Sequence, residues 1–148
     1  MTGRLFFDTN ILIYALDPKD PAKRSMSMEV ITKALTQGRL VVSPQILNEC
    51  VWVAAYRKKL VPPADIERYL SAFHHACTAP LDVETHRLAI RVSAKHRLSW
   101  WDSIALASAL QARCQAYVSE DMRDGQAVES LTIINPFGPR ARATLALT

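Results

Sequence analysis

Arg4-Leu5-Phe6-Phe7-Asp8-Thr9-Asn10-Ile11-Leu12 decides how the rest of the chain is read. Its first four residues form a short apolar run that ends on a carboxylate, the pattern of a strand buried on both faces. Further runs of this kind follow. Residues 40–42, 115–118 and 131–134 are short, apolar and partly β-branched, and each is bounded by turn or cap residues. Between them lie helical patterns over 22–36, 44–59, 64–77, 82–96 and 99–113. Gln37-Gly38 stops the first helix, Ser43-Pro44 starts the second, and Pro62-Pro63 breaks the chain before the third.

Strands separated by helices are joined by crossovers, which predicts an α/β fold on a parallel sheet with helices on both faces. In such sheets ligands bind beyond the carboxyl ends of the strands. Asp8 and Asp121 each follow a strand, so the layout predicts that both project at the same sheet edge. The tail after Phe137 has little periodicity and is expected to fray over 137–148.

The bulk numbers agree with one ordinary globular domain spanning 1–148. The 148 residues are 49% hydrophobic and 22% charged, enough for a single core. No run approaches the roughly 18 apolar residues of a membrane-spanning helix, and the N-terminal stretch lacks a signal-peptide layout, so a cytoplasmic protein is expected. Cys50, Cys77 and Cys114 are isolated among apolar neighbours and read as small buried hydrophobes, not a disulfide framework or zinc site. Eighteen Lys and Arg against 14 Asp and Glu give a net charge of +4, compatible with a polyanionic partner.

The chemistry rests on four acids, each with a plainer reading beside it. Asp8 caps a short helix beginning near Thr9 in the plain reading, while Thr9 and Asn10 add groups able to orient a ligand or a bound water. Glu49 shares the apolar face of its helix with Ile46, Cys50 and Val53, a costly place for an unpaired acid. Asp102 completes a capping box with Ser99, yet it also lies on the face of Ala105, Leu106 and Ala109. Asp121, in Ser119-Glu120-Asp121, is otherwise an acidic turn; Asp124 is an auxiliary ligand or a turn residue before Gly125. Four carboxylates in one cleft repel one another, and an oxygen-only set suits a hard ion such as Mg²⁺ or Mn²⁺.

Other sites fit less well. His74, His75, His86 and His96 lack ligand spacing, and four glycines in the whole chain leave no phosphate-cradling loop. A phosphatase using Asp8 as nucleophile wants an acid two positions on, where Asn10 stands. Trp52, Trp100 and Trp101 are expected in core or interface packing, with base stacking by one of them as the alternative.

The chain resembles the PIN domain and, within it, the VapC toxins of bacterial toxin–antitoxin pairs. The likeness rests on Phe7-Asp8-Thr9-Asn10-Ile11-Leu12-Ile13-Tyr14, Ser43-Pro44-Gln45-Ile46-Leu47-Asn48-Glu49, Ser99-Trp100-Trp101-Asp102-Ser103-Ile104, Ser119-Glu120-Asp121-Met122 and Ile134-Asn135-Pro136-Phe137. The resemblance implies a three-layer α/β sandwich with a central parallel sheet of about four or five strands. It further implies Mg²⁺- or Mn²⁺-dependent endonucleolytic cleavage of RNA, neutralised by a cognate antitoxin. The family's four acids fall on Asp8, Glu49, Asp102 and Asp121, with Ser119 beside the pocket. A homodimer through the helices of 51–70 is a further expectation, and Arg57, Lys58, Lys59, Arg140 and Arg142 are candidates to hold the RNA backbone. The alternative is an RNA-processing nuclease or a non-catalytic RNA-binding module on the same fold.

Overall fold

β1 (Leu5–Phe7) lies inside a five-stranded sheet, paired in parallel with β2 (Leu40–Val41) on one side and β3 (Ala116–Val118) on the other. The computed structural model describes residues 2–145. Every residue of β1 and β3 is buried, as a strand covered on both faces must be. β5 (Leu131–Ile134) extends the sheet in parallel beyond β3, and β4 (Ala127–Val128) closes that edge antiparallel to β5. The order is therefore β2-β1-β3-β5-β4.

The chain leaves β1 toward β2 and later enters β3 on the opposite side of β1. That reversal opens a crevice at the carboxyl ends of β1 and β3, where open α/β sheets place their ligands. The α/β PIN-like sandwich expected from the sequence is thus the fold observed. Phe6 and Tyr117 stack at 5.3 Å across the two central strands, and Ile11, Leu12, Ile46, Leu70 and Leu106 complete the core around them.

The helices begin where the sequence offers caps. α1 (Thr9–Tyr14) is capped by Asp8, and α2 (Pro21–Thr36) by Asp20, which accepts from the Lys23 N–H. Ser43 accepts from the Ile46 N–H at the head of α3 (Pro44–Val51). A 3₁₀ turn at Pro63–Asp65 leads into α4 (Ile66–His75). At α5 (Val83–His96), Asp82 and Thr85 form a reciprocal capping box. Ser99 caps α6 (Trp100–Gln111) by accepting from the Asp102 N–H.

Three features depart from the sequence reading. The helix expected over 44–59 changes after α3 into a π-turn, Trp52–Arg57, in which the Lys58 N–H reaches back five residues to the Val53 carbonyl at 2.8 Å. The Leu60 and Val61 N–H groups both bond the Ala54 carbonyl, drawing the chain back and widening that turn. β4 carried no strand signal because it has only two residues, and its turn to β5 uses Glu129 at φ +54° where a glycine or asparagine would have announced a hairpin.

The tail is not frayed over its described part. α7 (Ala141–Leu145) buries Ala141 and Leu145, and the Arg142 guanidinium grips Glu29 of α2 at 3.1 and 3.2 Å. Two apolar residues four apart are too weak a period to read as a helix, but enough to dock one turn. Residues 146–148 of the expected tail lie outside the described residues. No described helix is long and apolar enough to cross a membrane.

Candidate active site

Asp8 sits where β1 ends. Its N–H donates to the Val118 carbonyl at 3.0 Å, which pins the ends of β1 and β3 together. Its extended backbone turns the chain into α1, and Oδ1 accepts from the Thr9 N–H at 2.8 Å. The capping role and a place in the cleft therefore coexist in one side chain. Oδ2 accepts from the Ser119 hydroxyl at 2.8 Å, a group delivered by the end of β3.

The other acids arrive from different elements. Glu49, on α3, accepts the Thr9 hydroxyl at 2.8 Å and the Gln45 side-chain amide at 3.0 Å. Gln45 also donates to the Trp101 carbonyl at 3.1 Å, so one amide ties α3 to the head of α6, next to Asp102. At that head only half of the expected capping box forms. The Asp102 N–H bonds the Ser99 hydroxyl at 3.2 Å, and the carboxylate is left for the cleft. Asp121, past β3, accepts from the Asn10 amide at 2.9 Å and donates its N–H to the Ser119 hydroxyl.

Asp8, Thr9, Asn10, Glu49, Asp102 and Asp121 line one open cavity of about 500 Å³, together with Tyr14, Trp52, Arg57, Lys58 and Trp101. All four acids singled out in the sequence thus meet at one sheet edge. Thr9 and Ser119 are buried, and both spend their hydroxyls on these acids. Asn10 bridges Asp121, Ser119 and Asp8 with its amide nitrogen. Burial pushes the Asp8 carboxyl up to about 6; the Ser119 and Thr9 hydrogen bonds oppose the rise, and the charges of Asp102 and Glu49 add to it. Those charges place Asp102 and Glu49 in the same local field as Asp8.

Asp124 stands elsewhere. It accepts the Asn135 N–H at 2.9 Å and faces Arg140 at 3.6 Å, so it fastens the loop before β4. Arg140 and Arg142 are likewise committed to Asp124 and Glu29, and of the basic candidates only Arg57 and Lys58 line the cavity. Lys58 pairs with Asp17 at 3.2 Å. Cys50 and Cys114 are buried, as expected, whereas Cys77 is only half-buried. Trp52 and Trp101 are 61% and 67% exposed, so neither packs in the core of this chain.

Two contributors were not legible in the sequence. Gln45 is one; its role depends on the approach of α6. The other is Tyr117, fully buried under the acids, whose hydroxyl has no hydrogen-bond partner at normal distance. Burial, then the charges of Asp8, Asp102 and Glu49, hold that phenol protonated.

The donor set suits a hard divalent cation, since carboxylates and no imidazole or thiolate line the cavity. Among the described residues no three acidic, histidine or cysteine groups close on a common point, so the site is an open cleft and not a finished cage. An open cleft fits magnesium, which keeps several waters and binds through one or two carboxylates with substrate phosphates.

Comparison with known proteins agrees with the fold. The PIN domain family model matches residues 5–123. A chain in a solved structure described as a toxin–antitoxin complex from Klebsiella pneumoniae superimposes with a TM-score of 0.65, covering 90% of this chain and 98% of that one. The two are 18% identical, which makes the likeness one of fold. No curated protein matches the sequence. Since the family match spans most of its length, the chain belongs to the PIN domain family, whose members are generally nucleases that use divalent metals.

Proposed function

We propose that this chain is a Mg²⁺- or Mn²⁺-dependent endoribonuclease, the toxin of a toxin–antitoxin pair. The observation that carries the reading is the shared cavity of Asp8, Glu49, Asp102 and Asp121, with the Asp8 carboxyl raised to about 6 inside it. Clustered acids of this kind are poor binders of a phosphodiester by themselves and good binders of a cation.

In this reading Asp8 and Asp102 would hold the ion, with Glu49 and Asp121 assisting. When bound, a divalent ion would acidify water and offset charge on the phosphate oxygens. The chain's own groups do the rest. Ser119 and the Thr9 N–H aim the two Asp8 oxygens, Thr9 and Gln45 fix Glu49, and Asn10 holds Asp121 toward Asp8. Arg57, exposed on the cavity wall, would meet a phosphate of the strand.

The toxin assignment draws on the sequence resemblance and on the fold shared with a chain of a toxin–antitoxin complex. An antitoxin segment covering the cavity would silence such an enzyme, and a second copy of the chain is a further proposed partner. The deciding assay is cleavage of single-stranded RNA with Mg²⁺ or Mn²⁺ present. Asp8→Asn keeps a good helix cap and is expected to lower the rate by a factor of roughly 100 or more. Cleavage at the wild-type rate by that variant would refute the assignment; RNA retained intact by the wild-type chain would point to a binding module instead.

A further inference from the structure

Two of the chain's three tryptophans, Trp52 and Trp101, stand in solvent at the mouth of the acidic cavity. An indole buries more apolar area than almost any other side chain, so leaving two of them 61% and 67% exposed forgoes stability that a fold ordinarily takes. Their positions are not scattered. Trp101 immediately precedes Asp102, and Trp52 lies three residues after Glu49, on the same helical face. Both tryptophans line the cavity that the four acids line.

Trp52 also has an aromatic neighbour. Its ring stacks on Tyr56 at 6.4 Å with the planes 18° apart, so two aromatic faces lie together at the cavity mouth. The π-turn brings Val53, Arg57 and Lys58 onto the same cavity wall. Lys58 is committed to Asp17, but the exposed Arg57 makes no ion pair among the described residues. An unpaired guanidinium beside exposed rings is the combination that grips a nucleic-acid strand.

We propose that Trp52 and Trp101 are stacking platforms for unpaired nucleobases of a single-stranded RNA, an inference that rests on the nuclease reading of the adjoining cavity. The physical reason lies in the charge of that cavity. Four carboxylates outweigh the charge of one divalent ion, so the backbone alone is held weakly at this site. The π face of a base is uncharged and can be gripped without opposing that field. Paired bases have both faces covered within the duplex, so the platforms select unpaired segments. Arg57 then meets the phosphate beyond the stacked base, away from the acids.

The test uses Asp8→Asn as the parent, so that RNA is not consumed, with Mg²⁺ present and salt fixed. Fluorescence anisotropy reports binding of a short unstructured RNA and of an abasic strand of equal length. Trp52→Ala and Trp101→Ala are each expected to weaken binding of the intact RNA by about 10-fold or more. Trp→Phe at the same positions is expected to retain most of the affinity. The abasic strand should bind the parent as weakly as the intact RNA binds the alanine variants. Binding unaffected by either alanine substitution, or an abasic strand held as tightly as RNA, would overturn the stacking proposal while leaving cleavage by the wild-type chain intact. Alanine variants that bind RNA normally but sediment as a different oligomer would overturn it in favour of a protein interface. Absence of both RNA binding and RNA cleavage by the wild-type chain would remove the nuclease reading and this proposal together.

Discussion

At Asp8, burial raises the carboxyl to about 6, while the Ser119 hydroxyl and the Thr9 N–H limit the rise. In the unfolded chain the same carboxyl titrates near the ordinary value of 3.8. The folded state thus holds this proton more tightly, and by linkage its stability falls as the pH rises from about 4 through about 6. Asp8→Asn removes the effect. The variant should gain on the wild type across that window, by on the order of 1–3 kcal/mol at pH 7. Urea unfolding of both proteins from pH 4 to 7 measures this; a constant difference over the range would contradict the raised carboxyl. The charge that burial makes costly at Asp8 is one that a cation bound in the cavity would stabilise.

Among the elements, the junction of α3 with α6 has the largest consequence for the cleft. Neither helix alone sets the position of Glu49 against Asp102. The Gln45 amide joins them, donating to the Glu49 carboxylate and to the Trp101 carbonyl. Its own oxygen is buried without a partner, so the side chain is held for its donors alone. Gln45→Ala is expected to weaken Mg²⁺ or Mn²⁺ binding about 10- to 100-fold, the usual effect of removing a group that orients a ligand. Calorimetric titration of the metal into both proteins would show it, and an unchanged affinity would leave Gln45 with a packing role only. The π-turn is the second element of note. The wider turn aligns residues five apart, Trp52 with Arg57 and Val53 with Lys58, on the cavity wall, whereas a regular helix would set such pairs about 140° apart.

For the molecule as a whole, the sheet order decides where chemistry occurs. With β1 between β2 and β3, the crevice beyond β1 and β3 receives Asp8 from one strand and Ser119 and Asp121 from the other. The C-terminal turn belongs to the same body. Leu145 is 1% exposed and packs into the main core, and Arg142 ties its helix to α2. Leu145→Ala is therefore expected to destabilise the protein by about 2–5 kcal/mol, the range for a large-to-small change in a packed core. Chemical denaturation checks this. A loss below roughly 0.5 kcal/mol, as for a surface residue, would mean the tail does not belong to the core.

The sequence by itself determined what depends on neighbours along the chain. Apolar runs too hydrophobic for one wet face specified buried strands. Ser43-Pro44, Asp82 and Ser99 specified helix starts through side-chain oxygens reaching backbone N–H groups three residues on. The alternation of these elements was enough to put Asp8 and Asp121 at one sheet edge. Tertiary structure alone decided what depends on distant approach: the Gln45 bridge, the burial of the Tyr117 hydroxyl beneath the acids, the diversion of Asp124 and Arg140 to each other, and the exposure of Trp52 and Trp101. Capping and periodicity are written within a few residues, and so can be read from one strip of chain. A hydrogen bond between residues 56 apart, or an indole left exposed to solvent, depends on how whole helices pack, and no local pattern encodes that.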